Sequence, residues 1–266
     1  DVVEKIFIAS TLSHLLVFTS LGKVHWLRVF SIPDVSRIAK GKSIANLLNL
    51  QPGETIASIL SVREFEEDKF VMVATERGIV KKTSLMAYSK PRQGGVIGLT
   101  IDKGDRLIGA ELCDGESDIL LATAKGFSIR FSEKEARPIG RTGRGVRGIR
   151  LKAEDLVVGA EIVHPGNMLL TVTSNGYGKR TQLEEYPVQG RGGLGVMTIR
   201  CNEKIGTVVG IQQVTESDEL LVITSDGNIV RMKVNEISVI GRNTQGVRLV
   251  GTGESNQVVS VEKLVE

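Results

Sequence analysis

Short apolar runs recur along the chain at intervals of about fifty residues, and each ends in threonine. They cover residues 15–18, 70–74, 119–122, 168–172 and 220–223, and close at Thr19, Thr75, Thr123, Thr173 and Thr224. A near-continuous apolar run of this length, bounded by turn residues, predicts a strand buried on both faces. Three residues after each threonine stands a glycine: Gly22, Gly78, Gly126, Gly176 and Gly227. Turns such as Ser174-Asn175-Gly176 and Ser225-Asp226-Gly227 predict tight hairpins. A second, basic strand follows, then a loop rich in glycine and arginine, then another apolar run. The loop glycines Gly41, Gly95, Gly145, Gly195 and Gly246 keep the same spacing.

Each unit opens on a further apolar strand, predicted at 2–8, 55–62, 107–112, 156–163 and 208–213, with a sixth at 258–264. The chain therefore reads as units at about 1–54, 55–105, 106–155, 156–205 and 206–255, with a closing strand at 256–266. No window sustains a 3.6-residue apolar period, and 30 of 266 residues are glycine, which implies many turns. The expected fold is all-β. A repeat of this size with several short strands points to a propeller or solenoid, whose units bury their faces against neighbours. We expect one domain of four-stranded blades closed into a ring of five or six, with the last strand sealing the final blade or pairing with the N-terminal region.

At 41% hydrophobic residues the chain can bury a large core, and no apolar run is long enough to span a bilayer. The start, Asp1-Val2-Val3-Glu4-Lys5, lacks the pattern of a secretion signal and reads as the beginning of a strand. Cys113 and Cys201 have no CxxC partner and are expected to be reduced thiols, as in a cytoplasmic protein.

Charge changes the picture more. The net charge is only +3, but it is segregated. The five segments 22–49, 78–101, 126–151, 176–201 and 227–251 hold 24 of the 34 Lys and Arg residues and 6 of the 31 Asp and Glu residues. In a repeat fold equivalent positions occupy equivalent places, so these segments predict a basic band and a separate acidic zone. Duplex DNA, with one negative charge per roughly 1.7 Å of axis, suits an extended basic band.

The sharpest motif is Gly-Arg-x-x-x-Gly-Val, present at 140–146, 190–196 and 241–247, with basic variants at 36–42 and 90–96. Glycine bares the backbone N–H, and arginine adds a planar fork for phosphate oxygens. The expected DNA-contacting residues are Arg37, Lys40, Lys42, Lys81, Lys82, Lys90, Arg92, Arg130, Arg141, Arg144, Arg147, Lys179, Arg180, Arg191, Arg231, Lys233, Arg242 and Arg248. Most of them should be exposed on an outer edge.

Two letter matches carry no chemistry. Gly190-Arg191-Gly192-Gly193-Leu194-Gly195 fits GxGxxG, but no helix follows it, as a dinucleotide site requires. The stretch 36–43 resembles a phosphate loop with Ser36 in place of its first glycine. His14, His25 and His164 are scattered without metal-ligand spacing. No catalytic residue, metal or cofactor is expected in this domain.

Particular stretches resemble a known family of bacterial type IIA topoisomerase domains, the C-terminal DNA-wrapping domain of the DNA gyrase A subunit. They are residues 176–181 (Gly-Tyr-Gly-Lys-Arg-Thr) with Glu185-Tyr186, residues 236–249, residues 80–83 and residues 41–48. The resemblance covers the whole chain. It implies a β-pinwheel whose blades exchange strands and whose basic edge bends duplex DNA for negative supercoiling. It also implies a cytoplasmic, nucleoid-associated setting, with the rest of the gyrase A polypeptide and the gyrase B polypeptide as partners. ATP and Mg would be used elsewhere in the holoenzyme, and the isolated domain would be a monomer. The family's Gln-Arg-Arg-Gly-Gly-Lys-Gly box has only a degenerate counterpart here: Gln189, Gly190, Arg191, Gly192, Gly193, Leu194 and Gly195. A box-bearing blade is therefore expected upstream. The equivalent domain of topoisomerase IV, or a protein-binding propeller, is the alternative reading.

Overall fold

The computed structural model describes residues 9–33, 44–253 and 256–264. The first predicted opening strand, 2–8, lies outside the described residues, as do Arg37, Lys40 and Lys42. Apart from one five-residue helix, Ile44–Leu48, and short 3-10 turns, the described residues form strands and loops.

Local sequence explains each hairpin. In the fourth unit Gly176 N–H donates to Thr173 O at 3.0 Å, closing the turn, and Gly176 sits at φ +78°. The turn is repeated at Thr19/Gly22, Thr75/Gly78, Thr123/Gly126 and Thr224/Gly227. In three units the threonine hydroxyl also accepts the N–H of the residue after the glycine: Lys23 at 3.2 Å, Ile79 at 3.1 Å and Phe127 at 3.2 Å. In the other two the hydroxyl donates across the turn instead, Thr173 to Tyr177 O at 3.2 Å and Thr224 to Asn228 O at 3.1 Å, so threonine bonds across the turn in every unit. The strands before the turns are buried almost throughout, as their apolar runs predict.

The sheets are not the sequence units. The fourth sheet runs in the order Val208–Val214, Met168–Thr173, Tyr177–Gln182, Val247–Arg248. Its central hairpin comes from one unit, and both flanking strands come from the next. The first sheet (Ile56–Val62, His14–Thr19, Lys23–Arg28, Val96–Ile97) and the third (Val157–Val163, Asp118–Thr123, Phe127–Ser132, Val196–Met197) follow the same rule. So does the second (Val146–Arg147, Ile79–Ser84, Phe70–Thr75, Leu107–Cys113). The fifth sheet has three strands among the described residues: Ile229–Lys233, Glu219–Thr224 and Val258–Leu264. The closing strand 258–264 seals it, as expected. With no two-residue strand on its flank among the described residues, Ile229–Lys233 is exposed or half-buried throughout, whereas Tyr177–Gln182 is mostly buried.

The chain divides into two compact units. One holds residues 9–116 and 136–146, and the other holds 117–135 and 147 onward. In each, apolar side chains meet between sheets. In the first unit Leu16, Phe18 and Val24 pack with Val71, Val73, Leu85 and Tyr88, and Phe18 meets Tyr88 edge-on at 5.8 Å. In the second, Leu120 and Ala122 pack with Leu169, Ile199 and Ile211, while Leu170 and Val172 pack with Val222, Val234 and Val261. A repeat so built has no core of its own. Cys113 is buried and Cys201 half-buried.

Polar groups also join adjacent sheets of the second unit. Gln213 Nε2 donates to Glu161 Oε2 at 3.1 Å and to Ile162 O at 2.5 Å, and Lys263 Nζ donates to Gln213 O at 3.2 Å. Burial pushes the Glu161 carboxyl up from 4.5 to about 7, partly offset by the Gln213 hydrogen bonds and the Lys263 charge.

This packing has measurable consequences. A Cβ on Gly195, at φ +72°, would lie 2.1 Å from Ser128 O, so Gly195→Ala should lose more than about 1 kcal/mol in a denaturant melt. Glu161 binds its proton more tightly folded than unfolded, so stability should fall as pH rises from about 4.5 to about 7. Glu161→Gln should flatten that slope in urea melts taken at several pH values.

Candidate nucleic-acid interface

The charge pattern predicts that the basic strand after each hairpin faces outward. Four of its cations do the opposite: Lys81, Lys82, Lys179 and Arg180 are 1%, 3%, 0% and 4% exposed. The reason is strand exchange. Each of these basic strands is flanked on its outer side by the following unit's loop, which covers side chains that would otherwise meet solvent.

Two arginines of the basic strands, Arg180 and Arg130, act as fasteners between adjacent sheets. Arg180 Nε donates to Ile237 O at 2.7 Å, and its Nη1 pairs with Glu216 at 2.7 Å. Its backbone bonds Ser238 O and the Ile240 N–H. Arg130, half-buried, does likewise. Its Nε pairs with Asp118 at 2.8 Å, its Nη1 donates to Leu183 O at 2.9 Å, and its carbonyl accepts the Gln189 N–H. Lys82 places its ammonium 5.2 Å from the Phe70 ring centroid, and its carbonyl accepts the Ile139 N–H. The preceding position, Lys81 or Lys179, lies directly under the next loop. There the Lys81 ammonium donates to Arg141 O at 2.5 Å, and that of Lys179 to Gly241 O at 2.5 Å.

The Gly-Arg loop also departs from expectation. Its arginine turns back onto protein. Arg191 Nε donates to Glu135 O and its Nη1 to Arg147 O, both at 3.1 Å, while Arg242 Nη1 donates to Met197 O at 3.0 Å. Their backbone N–H groups are taken by Glu135 and Glu185 carboxylates. The loop glycines are not bare either. Gly195 is glycine because its backbone lies against that of Ser128, and Gly192 N–H donates to Gly148 O. The box-like loop 189–195 is thus a joint between sheets, with Leu194 exposed at its tip.

Other expected cations reach solvent, and Arg191 does so despite its bonds to protein. Lys90, Arg92, Arg144, Arg147, Arg191, Arg231, Lys233 and Arg248 are exposed, while Arg141 and Arg242 are half-buried. Arg231 pairs with Glu219 through Nε at 2.6 Å, and Arg144 with Asp102 at 3.1 Å, both at the surface where such pairs are weak. Arg147 and Arg248 share one cause of exposure. Each is the second residue of a two-residue exchanged strand, and alternation turns valine inward and arginine out. The same basic segments hold Arg137, Arg150 and Arg200, which are exposed too and which the sequence reading missed. The close spacing of arginines from 137 to 150 was the signal for the first two.

Comparison with known proteins places these features in context. The family described as DNA gyrase C-terminal domain, beta-propeller, matches residues 13–63, 69–114, 117–164, 167–215 and 218–264. The DNA gyrase A polypeptide of Buchnera aphidicola is 52% identical over 266 residues, covering all of the chain and 32% of that protein. The corresponding polypeptide of Salmonella typhimurium is 44% identical, and that of Escherichia coli K12 42%, each over the whole chain and 30% of the relative. The chain thus spans about a third of the length of these relatives. Among solved structures, the C-terminal domain of DNA topoisomerase IV superposes with a TM-score of 0.87 at 27% identity, over 96% of this chain and 80% of that one. A DNA gyrase A C-terminal domain gives 0.84 at 25% identity, over 97% and 84%. The architecture is the all-β, propeller-like fold of repeated blades that the repeats predict.

Because Arg180 joins sheets, Arg180→Met should lower stability by about 1–3 kcal/mol, the cost of leaving buried acceptors unpaired. It should leave the salt dependence of duplex binding unchanged. A urea melt and a DNA titration across salt concentrations measure the two effects separately.

Proposed function

Since the chain belongs to the family of DNA gyrase C-terminal domains, we propose that it binds and bends duplex DNA through its exposed loop and short-strand cations. It would serve negative supercoiling within a holoenzyme that includes the rest of the gyrase A polypeptide and the gyrase B polypeptide. The observation that carries this reading is the sorting of cations. One set is buried and fastens sheets together, while the other, Lys90, Arg92, Arg144, Arg147, Arg200, Lys233 and Arg248, stands in solvent. These exposed cations fall in the segments that hold 24 of the chain's 34 basic residues and 6 of its 31 acids.

Cations repeated along loops and edge strands contact phosphates and position a duplex rather than read its sequence. Bending is costly, about 1–6 kcal/mol for 40–90° over some 20–30 base pairs, so contacts from several blades must act together. The domain's task in this reading is to hold DNA, with bond cleavage, ATP and Mg belonging to other parts of the holoenzyme. No helix among the described residues is long and apolar enough to cross a membrane, and we place the domain in the cytoplasm at the nucleoid.

A second reading, the equivalent domain of topoisomerase IV, is favoured by the structural likeness to that enzyme's C-terminal domain. It predicts that the holoenzyme relaxes and unlinks DNA without introducing negative supercoils. Supercoiling assays with and without the domain separate the two.

The binding reading itself is tested with Arg147, Arg200 and Arg248, all exposed. Replacing the three with alanine should weaken binding to unrelated duplexes alike. The slope of log K against log salt should flatten by roughly 0.9 for each phosphate no longer neutralised. An unchanged slope, or loss of binding to one sequence alone, would refute it.

A further inference from the structure

Lys81 and Lys179 occupy the same place in two different repeats, the third position after the hairpin glycine. His25, Ile129 and Val230 fill it elsewhere. Each lysine is buried beneath the following unit's Gly-Arg loop, and its ammonium bonds carbonyl and hydroxyl oxygens rather than a carboxylate. Lys81 Nζ donates to Gly98 O, to Gly140 O at 3.3 Å and to Arg141 O at 2.5 Å. Lys179 Nζ donates to Gly241 O and Arg242 O, both at 2.5 Å, and to Thr244 Oγ1 at 3.0 Å. Three acceptors match the three protons of an ammonium, whereas a neutral amine has two. The cage is made mostly of carbonyls from consecutive loop residues, so it fixes the path of the loop. In the repeat with Ile129, an apolar side chain beside Gly193 takes the place of the ammonium and offers no hydrogen bond to the loop.

We propose, resting on the DNA-binding reading above, that Lys81 and Lys179 are positioning residues for the DNA contact. Their ammonium groups clamp loops 140–145 and 241–246, and so hold Arg144 and the exchanged Val247–Arg248 strand in the presenting conformation. Neither lysine touches DNA. Each exerts its effect through the loop above it.

The clamp is open to titration. Burial, with the adjacent Arg141 charge, pushes Lys81 down to about 8. Burial pushes Lys179 to about 8 as well, with Glu185 opposing the shift and Arg242 adding to it. The nearby Tyr88 and Tyr186 hydroxyls, pushed up to about 12 by burial, stay neutral. The folded lysines release protons more easily than unfolded ones at 10.5. Their contribution to fold stability therefore rises with pH between about 8 and 10.5. Loop clamping falls as pH rises through about 8, where the third donor is lost. A purely structural role would make DNA binding follow stability, whereas positioning makes the two diverge.

The test compares the chain with its K81M/K179M variant by duplex titration across salt at pH 7 and pH 9.5, and by amide hydrogen exchange at pH 7. At pH 7 the variant should bind several-fold more weakly, with a flatter salt slope and faster exchange in loops 141–145 and 242–246. Raising the pH should weaken the parent chain toward the variant, while the variant stays flat because arginine remains charged. Equal affinity and slope at pH 7, or a parent chain unmoved by pH, would overturn the proposal. If the variant does not fold, the parent's pH profile decides by the same criterion. If the parent binds no duplex, the proposed function fails, and loop exchange alone judges the clamp: faster exchange in the variant upholds it and unchanged exchange rejects it.

Discussion

The architecture depends on one close approach of backbone to backbone. In each of the four described loops the last glycine, Gly95, Gly145, Gly195 or Gly246, lies so near the preceding unit's hairpin that a Cβ there would stand 2.8 Å from Val24 O, 2.5 Å from Val80 O, 2.1 Å from Ser128 O or 2.5 Å from Gly178 O. This approach delivers the next two residues as the edge strand of the preceding sheet. The first four sheets are then completed by chain from the following unit, and the apolar faces close between sheets. Among the described residues the fifth sheet has no such strand. Its edge, Ile229–Lys233, has the composition of a basic strand but not the burial of one.

The same exchange divides the cations into two classes. A basic side chain beneath an incoming loop loses solvent and must find carbonyls or carboxylates, because burying an unpaired charge is prohibitive. Lys81 and Lys179 find carbonyls, and Arg130 and Arg180 find both. A basic side chain at the crest of the incoming loop or on the incoming strand stays outside, as Arg144, Arg147 and Arg248 do. Positive charge therefore serves cohesion and presentation from adjacent positions, and the loop is the part common to both.

The division gives the Gly-Arg motif a physical meaning different from a phosphate cradle. Its last glycine exists for backbone proximity, and its arginine satisfies carbonyls that the exchange exposes, as Arg191 and Arg242 do. The cations suited to a polyanion lie two or more positions away, where strand alternation or the loop crest turns them out.

The sequence alone determined the repeat, its strands and turns, and the segregation of charge. These are local properties: an apolar run ending in Thr-x-x-Gly specifies a buried strand and its hairpin wherever it occurs. Family membership was legible too, in stretches such as 176–181. The candidate site was legible only in part, since exposed Arg147 and buried Arg180 look alike in one dimension. Tertiary structure decided which cations face water, because that depends on which unit's loop lies over which strand. It also moved the sheet boundaries away from the sequence units: the strand that opens a unit, Val208–Val214 for instance, is hydrogen-bonded to the hairpin of the unit before it. Nothing in a strand's own residues names its partner, because any antiparallel neighbour satisfies its backbone groups equally. Only the packing of one repeat against the next selects it.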